Sequence, residues 1–203
     1  MNEKGNTITH LVGTLFALSS IWMLWPAAGK GWEMMLGIAT FLAGMFLMFL
    51  SSTLYHWVRP GQLKAALRKC DHICIYIMIA GSYSPICISI IGGTLGWSIF
   101  ALQWMAVAIG AVYKLAALGR YPKLSLAIYL TMGWSIILIV PEVYNNLSLL
   151  PLCLILSEGI LYTIGTYFFS HDSEKYYHTI WHIFVLLGAI AHWGAVLAIL
   201  FEH

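Results

Sequence analysis

The segment Met34–His56 reads MMLGIATFLAGMFLMFLSSTLYH and contains no Asp, Glu, Lys or Arg. A helix needs about 20 mostly apolar residues to cross the hydrocarbon core of a bilayer, and this segment is long enough to do so. Its last turns are polar, because Ser52 and His56 follow the apolar run. The segment therefore predicts a membrane-spanning helix with polar side chains at one end.

Six further segments of similar character predict an all-α bundle of seven membrane-spanning helices, with residues 1–203 as one transmembrane domain. The predicted spans lie near residues 8–26, 34–56, 71–91, 95–113, 124–141, 149–170 and 178–200. The composition agrees, since 61% of the residues are hydrophobic and 9% are charged, whereas about a quarter of a soluble domain is charged. A net charge of +2 indicates no nucleic-acid partner, and membrane lipids are the expected surroundings.

The basic residues indicate how the chain is oriented in the membrane. Nine of the 10 Lys and Arg residues fall on the side of the N-terminus, at Lys4, Arg59, Lys64, Arg68, Lys69, Lys114, Arg120, Lys123 and Lys175. The opposite side has only Lys30. Because cytoplasmic loops are enriched in Lys and Arg, we expect a cytoplasmic N-terminus and a C-terminus outside.

Several ionisable side chains fall at one predicted depth, near the cytoplasmic face. His56 ends the second span, Asp71 begins the third, and His178 and His182 begin the seventh. Ionisable groups at membrane depth are costly, so each is a candidate for a functional site. His10, one turn inside the first span, is a further candidate whose contact with this group the sequence leaves open.

The spacing of these residues is typical of a zinc site. His178 and His182 are four residues apart and share one helical face, where together they can bind one cation. His56 would complete a three-histidine site with one coordination position open for water. Asp71 would orient a histidine or hold the water, and Ser52 lies one turn from His56 on the same face. Interfacial polarity without a metal is the simpler interpretation of the same residues.

Two other polar residues within the predicted spans are assigned separate roles. His192 lies some 15 Å along the helix from His182 at 1.5 Å per residue, and packing or interhelical hydrogen bonding is expected of it. Glu158, in the middle of the sixth span, is expected to be a neutral acid bonded to Ser135 or Tyr162, or part of a proton path.

The cysteines suggest one rival metal site. Cys70, His72 and Cys74 lie close together in sequence and would suit a soft metal, although reduced thiols near the interface explain them more simply. Cys87 and Cys153 lie inside apolar runs, where a thiol behaves as a small hydrophobe. No structural disulfide is expected.

An ordered set of short motifs runs along nearly the whole chain. They are NTITH at 6–10, SSTLYH at 51–56, DH at 71–72, AGSYSP at 80–85, YLTMGW at 129–134, LYTIG at 161–165 and HTIWH at 178–182. Each motif is weak alone, but the set resembles the hemolysin III branch of the progestin and adipoQ receptor (PAQR) family. That family lies within a wider superfamily that includes alkaline ceramidases.

The resemblance implies a seven-helix bundle in a bacterial inner membrane, with zinc held by His56, His178 and His182. It also implies that Asp71 contacts the zinc-bound water and that Ser52 supports the site. Members of the family are linked to lipid-amide hydrolysis, ligand sensing and membrane-fluidity homeostasis.

These features favour a zinc-dependent, ceramidase-like hydrolase of lipid amide or ester bonds that acts in membrane lipid and fluidity homeostasis. Zinc would lower the pKa of its water toward about 7, Asp71 would act as general base and then acid, and Ser52 would support the developing oxyanion. A non-catalytic membrane sensor with a structural zinc stays open. A proton or ion transporter that uses Glu158 and His192 has thinner support.

Overall fold

The computed structural model describes residues 2–202, which form helices and turns without a strand. Over this range, seven helices are long and apolar enough to cross a membrane. In chain order they are α1 (Glu3–Ala28), α2 (Trp32–Trp57), α3 (Gln62–Ile91), α4 (Gly93–Ala117), α5 (Pro122–Asn146), α6 (Leu149–Ser170) and α7 (Tyr177–Glu202). The protein is thus an all-α integral membrane protein, as predicted.

The helices extend beyond the spans predicted from hydropathy. α3 begins at Gln62 rather than near Asp71, so Arg68 lies on a helix and not in a loop. α4 continues to Ala117 and therefore carries Lys114 within a helix. Hydropathy marks only the apolar part of a helix, whereas the backbone hydrogen bonds continue through the polar turns at its ends.

Two helices contain a 3-10 turn, and a third ends in a wider, π-helical stretch. The 3-10 turns are Ser20–Met23 in α1 and Ser135–Ile139 in α5. The π-helical stretch is Pro85–Ile91 at the end of α3. Pro85 has no backbone N–H and removes one hydrogen bond of the α-helical ladder, which accounts for the change in winding there.

α2 and α3 pack closely because glycines lie where the two backbones meet. A Cβ atom at Gly44 would lie 3.0 Å from the carbonyl oxygen of Ile77. A Cβ atom at Gly81 would lie 2.9 Å from the carbonyl oxygen of Thr40. Small residues permit this approach between membrane helices, and it fixes the end of α2 against α3.

α1 packs against both α2 and α7, and its first turns link these helices at the end of the bundle where α1 begins. Asn6 is fully buried, and Thr179 Oγ1 donates a hydrogen bond to Asn6 Oδ1 at 2.5 Å. Glu3 lies beside His56 of α2 and Lys64 of α3. Side chains from four helices therefore meet at this end, which is called the N-terminal end of the bundle below.

Candidate metal centre and the adjoining cavity

Three histidines converge at the N-terminal end of the bundle. His56 lies in the last turn of α2, and His178 and His182 lie in the first turns of α7. One ligand atom from each side chain lies within 4.8 Å of the other two. His56 and His182 are each 2% exposed, and His178 is half-buried. Within residues 2–202 this is the one group of three or more His, Cys, Asp or Glu side chains spaced to hold a metal.

The ring of His56 is oriented by a carboxylate on α1. Nδ1 of His56 lies 2.7 Å from Oε2 of Glu3, and a carboxylate accepts, so Nδ1 is the donor. Nε2 is then the nitrogen with a free lone pair. It is buried and has no hydrogen-bond partner among the described residues. Histidines that bind a metal usually donate a hydrogen bond from their other ring nitrogen to a carboxylate, a carbonyl oxygen or water.

His182 is oriented by the backbone of α1. Its Nδ1 lies 3.3 Å from the carbonyl oxygen of Asn6 and 3.4 Å from Oγ1 of Thr9. A carbonyl oxygen only accepts, so Nδ1–H donates to it and Nε2 is left without a proton. The hydrogen bond from Thr179 to Asn6 holds α1 and α7 together at this position.

His178 and His10 are held less tightly. Nδ1 of His178 is buried without a hydrogen-bond partner in the described chain, and its distance of 3.6 Å from Oδ2 of Asp172 is too long for a hydrogen bond. The His10 ring stacks on His182, with centroids 3.7 Å apart, and packs edge-on against Phe49. His10 is not part of the three-histidine group, and it contacts that group through its stacking on His182.

Ser52 and Asp71 lie beside the histidines and line a polar cavity of about 520 Å³. His10, His178 and His182 line the same cavity. Ser52 is almost fully buried, and its side chain is close enough to interact with that of Asp71. The structure therefore brings all five predicted site residues to one end of the bundle. Cys70, His72 and Cys74 form no metal-binding group within residues 2–202.

The donor set at this position fits zinc. Neutral imidazole nitrogens are common zinc ligands, and three of them leave one tetrahedral position open. The buried Nε2 of His56 without a partner is the observation that favours a metal, because an unsatisfied buried polar atom is costly. Glu3 and the Asn6 carbonyl hold the other nitrogens of His56 and His182, so their lone pairs are fixed in direction.

The family model of the haemolysin-III-related proteins matches residues 1–193 of the chain. The chain belongs to this family. It is 36% identical over 198 residues to the Hemolysin-3 homolog of Bacillus subtilis, a match that covers 96% of this chain and 92% of that protein. It is 34% identical over 197 residues to Hemolysin-3 of Bacillus cereus, covering 96% and 90% of the two chains.

The chain is also similar to an animal protein. The chain is 30% identical over 202 residues to the human monocyte to macrophage differentiation factor, which covers 96% of this chain and 82% of that protein. These matches confirm the predicted resemblance to the hemolysin III branch of the PAQR family. No solved structure gives a significant match.

A second buried polar pair lies deeper in this haemolysin-III-related bundle. Nδ1 of His192 lies 2.6 Å from Oε2 of Glu158, and Nε2 of His192 lies 3.1 Å from the carbonyl oxygen of Ser82. The interhelical hydrogen bonding expected of His192 is therefore present. The partner of Glu158 is His192, and neither Ser135 nor Tyr162 takes that place. Sequence spacing did not reveal this pair, because its two residues lie on different helices, α6 and α7.

Three side chains of the haemolysin-III-related site were not predicted. Glu3 and Asn6 precede the first predicted span, and their three-residue spacing on one helical face is the signal that would have placed them with His10. Lys114 was assigned to a loop, yet it is buried beside the cavity. It directly follows the predicted span 95–113, and a basic residue at the end of an apolar run gave no indication of burial.

Proposed function

We propose that this chain is a zinc-dependent membrane hydrolase that cleaves amide or ester bonds of lipids. It would act at the cytoplasmic side of a bacterial inner membrane, in membrane lipid and fluidity homeostasis. The observation that carries the proposal is the convergence of His56, His178 and His182 beside a cavity that Ser52 and Asp71 line. Three protein ligands with one open position are typical of a catalytic zinc rather than a structural one.

His56, His178 and His182 would hold the metal, with Glu3 orienting the ring of His56 and the Asn6 carbonyl orienting the ring of His182. Zinc would supply Lewis-acid chemistry and lower the pKa of water toward about 7. Because both ring supports come from α1, the first turn of α1 would control how well the site binds metal.

Asp71 is the proton carrier in this proposal. Its carboxylate lines the cavity with His178 and His182, so an Oδ atom can take the proton of the attacking water and later give it to the leaving amine or alcohol. Ser52, buried next to Asp71, would donate its hydroxyl proton to the developing oxyanion or orient the water.

The cavities favour a lipid substrate. The polar cavity adjoins an apolar cavity of about 280 Å³ between the helices. The two share wall residues Met48, Ile75, Leu126, Phe169, Trp181 and Val185. A molecule with its polar group beside the histidines can therefore extend an acyl chain between the helices. A bond at headgroup depth would then lie at the metal centre.

A sensor without turnover is the second candidate, and one observation favours it. His56 lies on α2, and His178 and His182 lie on α7. The groups that orient His56 and His182 come from α1. A metal at this point would clamp three helices, so metal binding alone could set their arrangement.

Turnover separates the two candidates. We expect purified, zinc-loaded protein in detergent to release fatty acid from a panel of lipid amides and esters, and the Asp71→Asn variant to keep zinc and lose release. Zinc-loaded parent protein that releases no fatty acid from any lipid of the panel, while its thermal stability depends on zinc, would favour the sensor.

A further inference from the structure

Lys114 is buried in a way that is unusual for lysine. It lies near the end of α4, is 2% exposed and lines the polar cavity, whereas lysine is almost never fully buried without a partner. Nζ donates to Oγ of Ser125 at 2.7 Å. An ammonium group has three N–H donors, and Ser125 is the one hydrogen-bonded acceptor of Lys114 within residues 2–202.

The surroundings of Lys114 contain two aromatic rings but no carboxylate that pairs with it. The rings of Tyr129 and Tyr113 lie 5.2 and 5.6 Å from Nζ, and aromatic faces attract cations at such distances. Tyr129 is fixed by its own hydrogen bond to the carbonyl oxygen of His72. No carboxylate of the described chain forms an ion pair with Lys114. The cavity therefore presents a cation that lacks an anion.

Other groups add positive charge to the same cavity. Arg68 of α3 and Lys123 of α5 line it together with Lys114. The carboxylates in its lining are Asp71 and Asp172, so three cations face two anions. The first residues of α5 also line the cavity, and the N-terminus of a helix carries partial positive charge that favours anions.

We infer that Lys114, with Arg68 and Lys123, forms a binding site for a phosphate group in the polar cavity, beside the three histidines. This inference rests on the proposed function in one respect, because it takes the occupant of the cavity to be the substrate. It narrows that substrate to a lipid with an anionic phosphate headgroup. Free phosphate has the same chemistry, and the experiment below separates the two sources.

The adjacency of the two cavities favours a headgroup over a free ion. A phosphate at Lys114 lies in the polar cavity, and the apolar cavity that shares its wall can take an attached chain. A free phosphate would use the cations and leave the apolar cavity unfilled. A lipid phosphate would use both, and burial of its chain would add to affinity.

The test is a binding titration on the full chain in detergent, with a chelator present so that neither zinc nor turnover contributes. The probes are short-chain phosphatidate, the matching phosphatidylcholine and inorganic phosphate. The variants are Lys114→Gln and, in case the buried position disturbs folding, Arg68→Gln at an exposed position of the same cavity. The matched control is Lys175→Gln, which removes one positive charge from an exposed loop.

We expect phosphatidate to bind more tightly than phosphatidylcholine. Lys114→Gln should weaken phosphatidate binding about tenfold or more, Arg68→Gln should weaken it less, and Lys175→Gln should leave it unchanged. Phosphatidate binding much tighter than inorganic phosphate supports the lipid headgroup, whereas equal, Lys114-dependent binding of both supports a free phosphate site. Unchanged phosphatidate binding in both cavity variants would overturn the inference.

The same variants separate this inference from the proposed hydrolase. Lys114-dependent phosphatidate binding by a chain that hydrolyses no lipid would uphold the anion site and overturn the hydrolase. The opposite result is hydrolysis of uncharged lipid amides at a rate that Lys114→Gln does not change. It would uphold the hydrolase and overturn the claim that Lys114 binds the substrate's headgroup.

Discussion

Oε2 of Glu3 lies 2.7 Å from Nδ1 of His56 and joins the first turn of α1 to the last turn of α2. The second oxygen of Glu3 lies 3.3 Å from Nζ of Lys64 on α3. The carboxylate thus fixes the His56 ring and is itself held by a lysine. Nε2 is left as the His56 nitrogen that is available to a metal.

Loss of Glu3 should weaken zinc binding. A group that supports a metal-binding histidine is worth about 10- to 100-fold in affinity. The Glu3 side chain is 43% exposed, so we expect about tenfold for Glu3→Ala and less for Glu3→Gln, which keeps an acceptor. Competition with a chromogenic zinc chelator on protein in detergent measures this effect.

Glu174→Ala is the matched control, because Glu174 is an exposed acid in the loop before α7. Its zinc affinity should equal that of the parent. Equal affinities for Glu3→Ala and Glu174→Ala would show that the contact with Glu3 does not orient His56 for a metal.

Much of the fold could be predicted from the sequence, because the apolar segments are long and the bilayer sets their length. The polar ends of the helices could not be predicted, because hydropathy gives no signal where a helix continues beyond the apolar region. Lys114 shows the consequence. The sequence predicts a loop position for this lysine, whereas in the structure it is buried on α4.

The candidate site could be predicted in part. The four-residue spacing of His178 and His182, with His56 at the same predicted depth, placed these three residues together. Contacts between side chains on different helices have no periodic signature in the sequence, and so the supports from α1 and the pairing of Glu158 with His192 were not foreseen.

Asp71→Asn should separate metal binding from catalysis. The amide cannot take up a proton as the carboxylate does, and general acid–base catalysis is worth about 10²- to 10⁴-fold. We therefore expect a loss of that size in lipid hydrolysis with zinc content unchanged. A variant as active as the parent would mean that another group carries the proton.

The close approach of α2 and α3 should make Gly81 intolerant of a side chain. A Cβ atom there would lie 2.9 Å from the backbone of Thr40, so Gly81→Ala should cost about 1–3 kcal/mol. Gly133 of α5 has no atom within 4 Å of the Cβ position in the described chain, and Gly133→Ala is the control. Thermal unfolding in detergent compares the two, and equal midpoints would refute the packing argument.

The Glu158–His192 pair should matter for stability more than for metal binding. Removal of one partner from a buried pair costs about 3–5 kcal/mol, whereas its replacement by two apolar side chains is often neutral. We expect Glu158→Leu to unfold at a clearly lower temperature than the double variant Glu158→Leu/His192→Leu, with zinc content unchanged in both. A double variant less stable than Glu158→Leu would contradict this account.

The central claim is that His56, His178 and His182 hold a zinc ion. The most direct test is metal content by mass spectrometry on protein purified in detergent without chelator, beside the variant His178→Ala/His182→Ala. The account predicts about one zinc per parent chain and almost none in the variant, as three imidazole ligands require. Folded parent protein without zinc, or equal zinc in parent and variant, would contradict it.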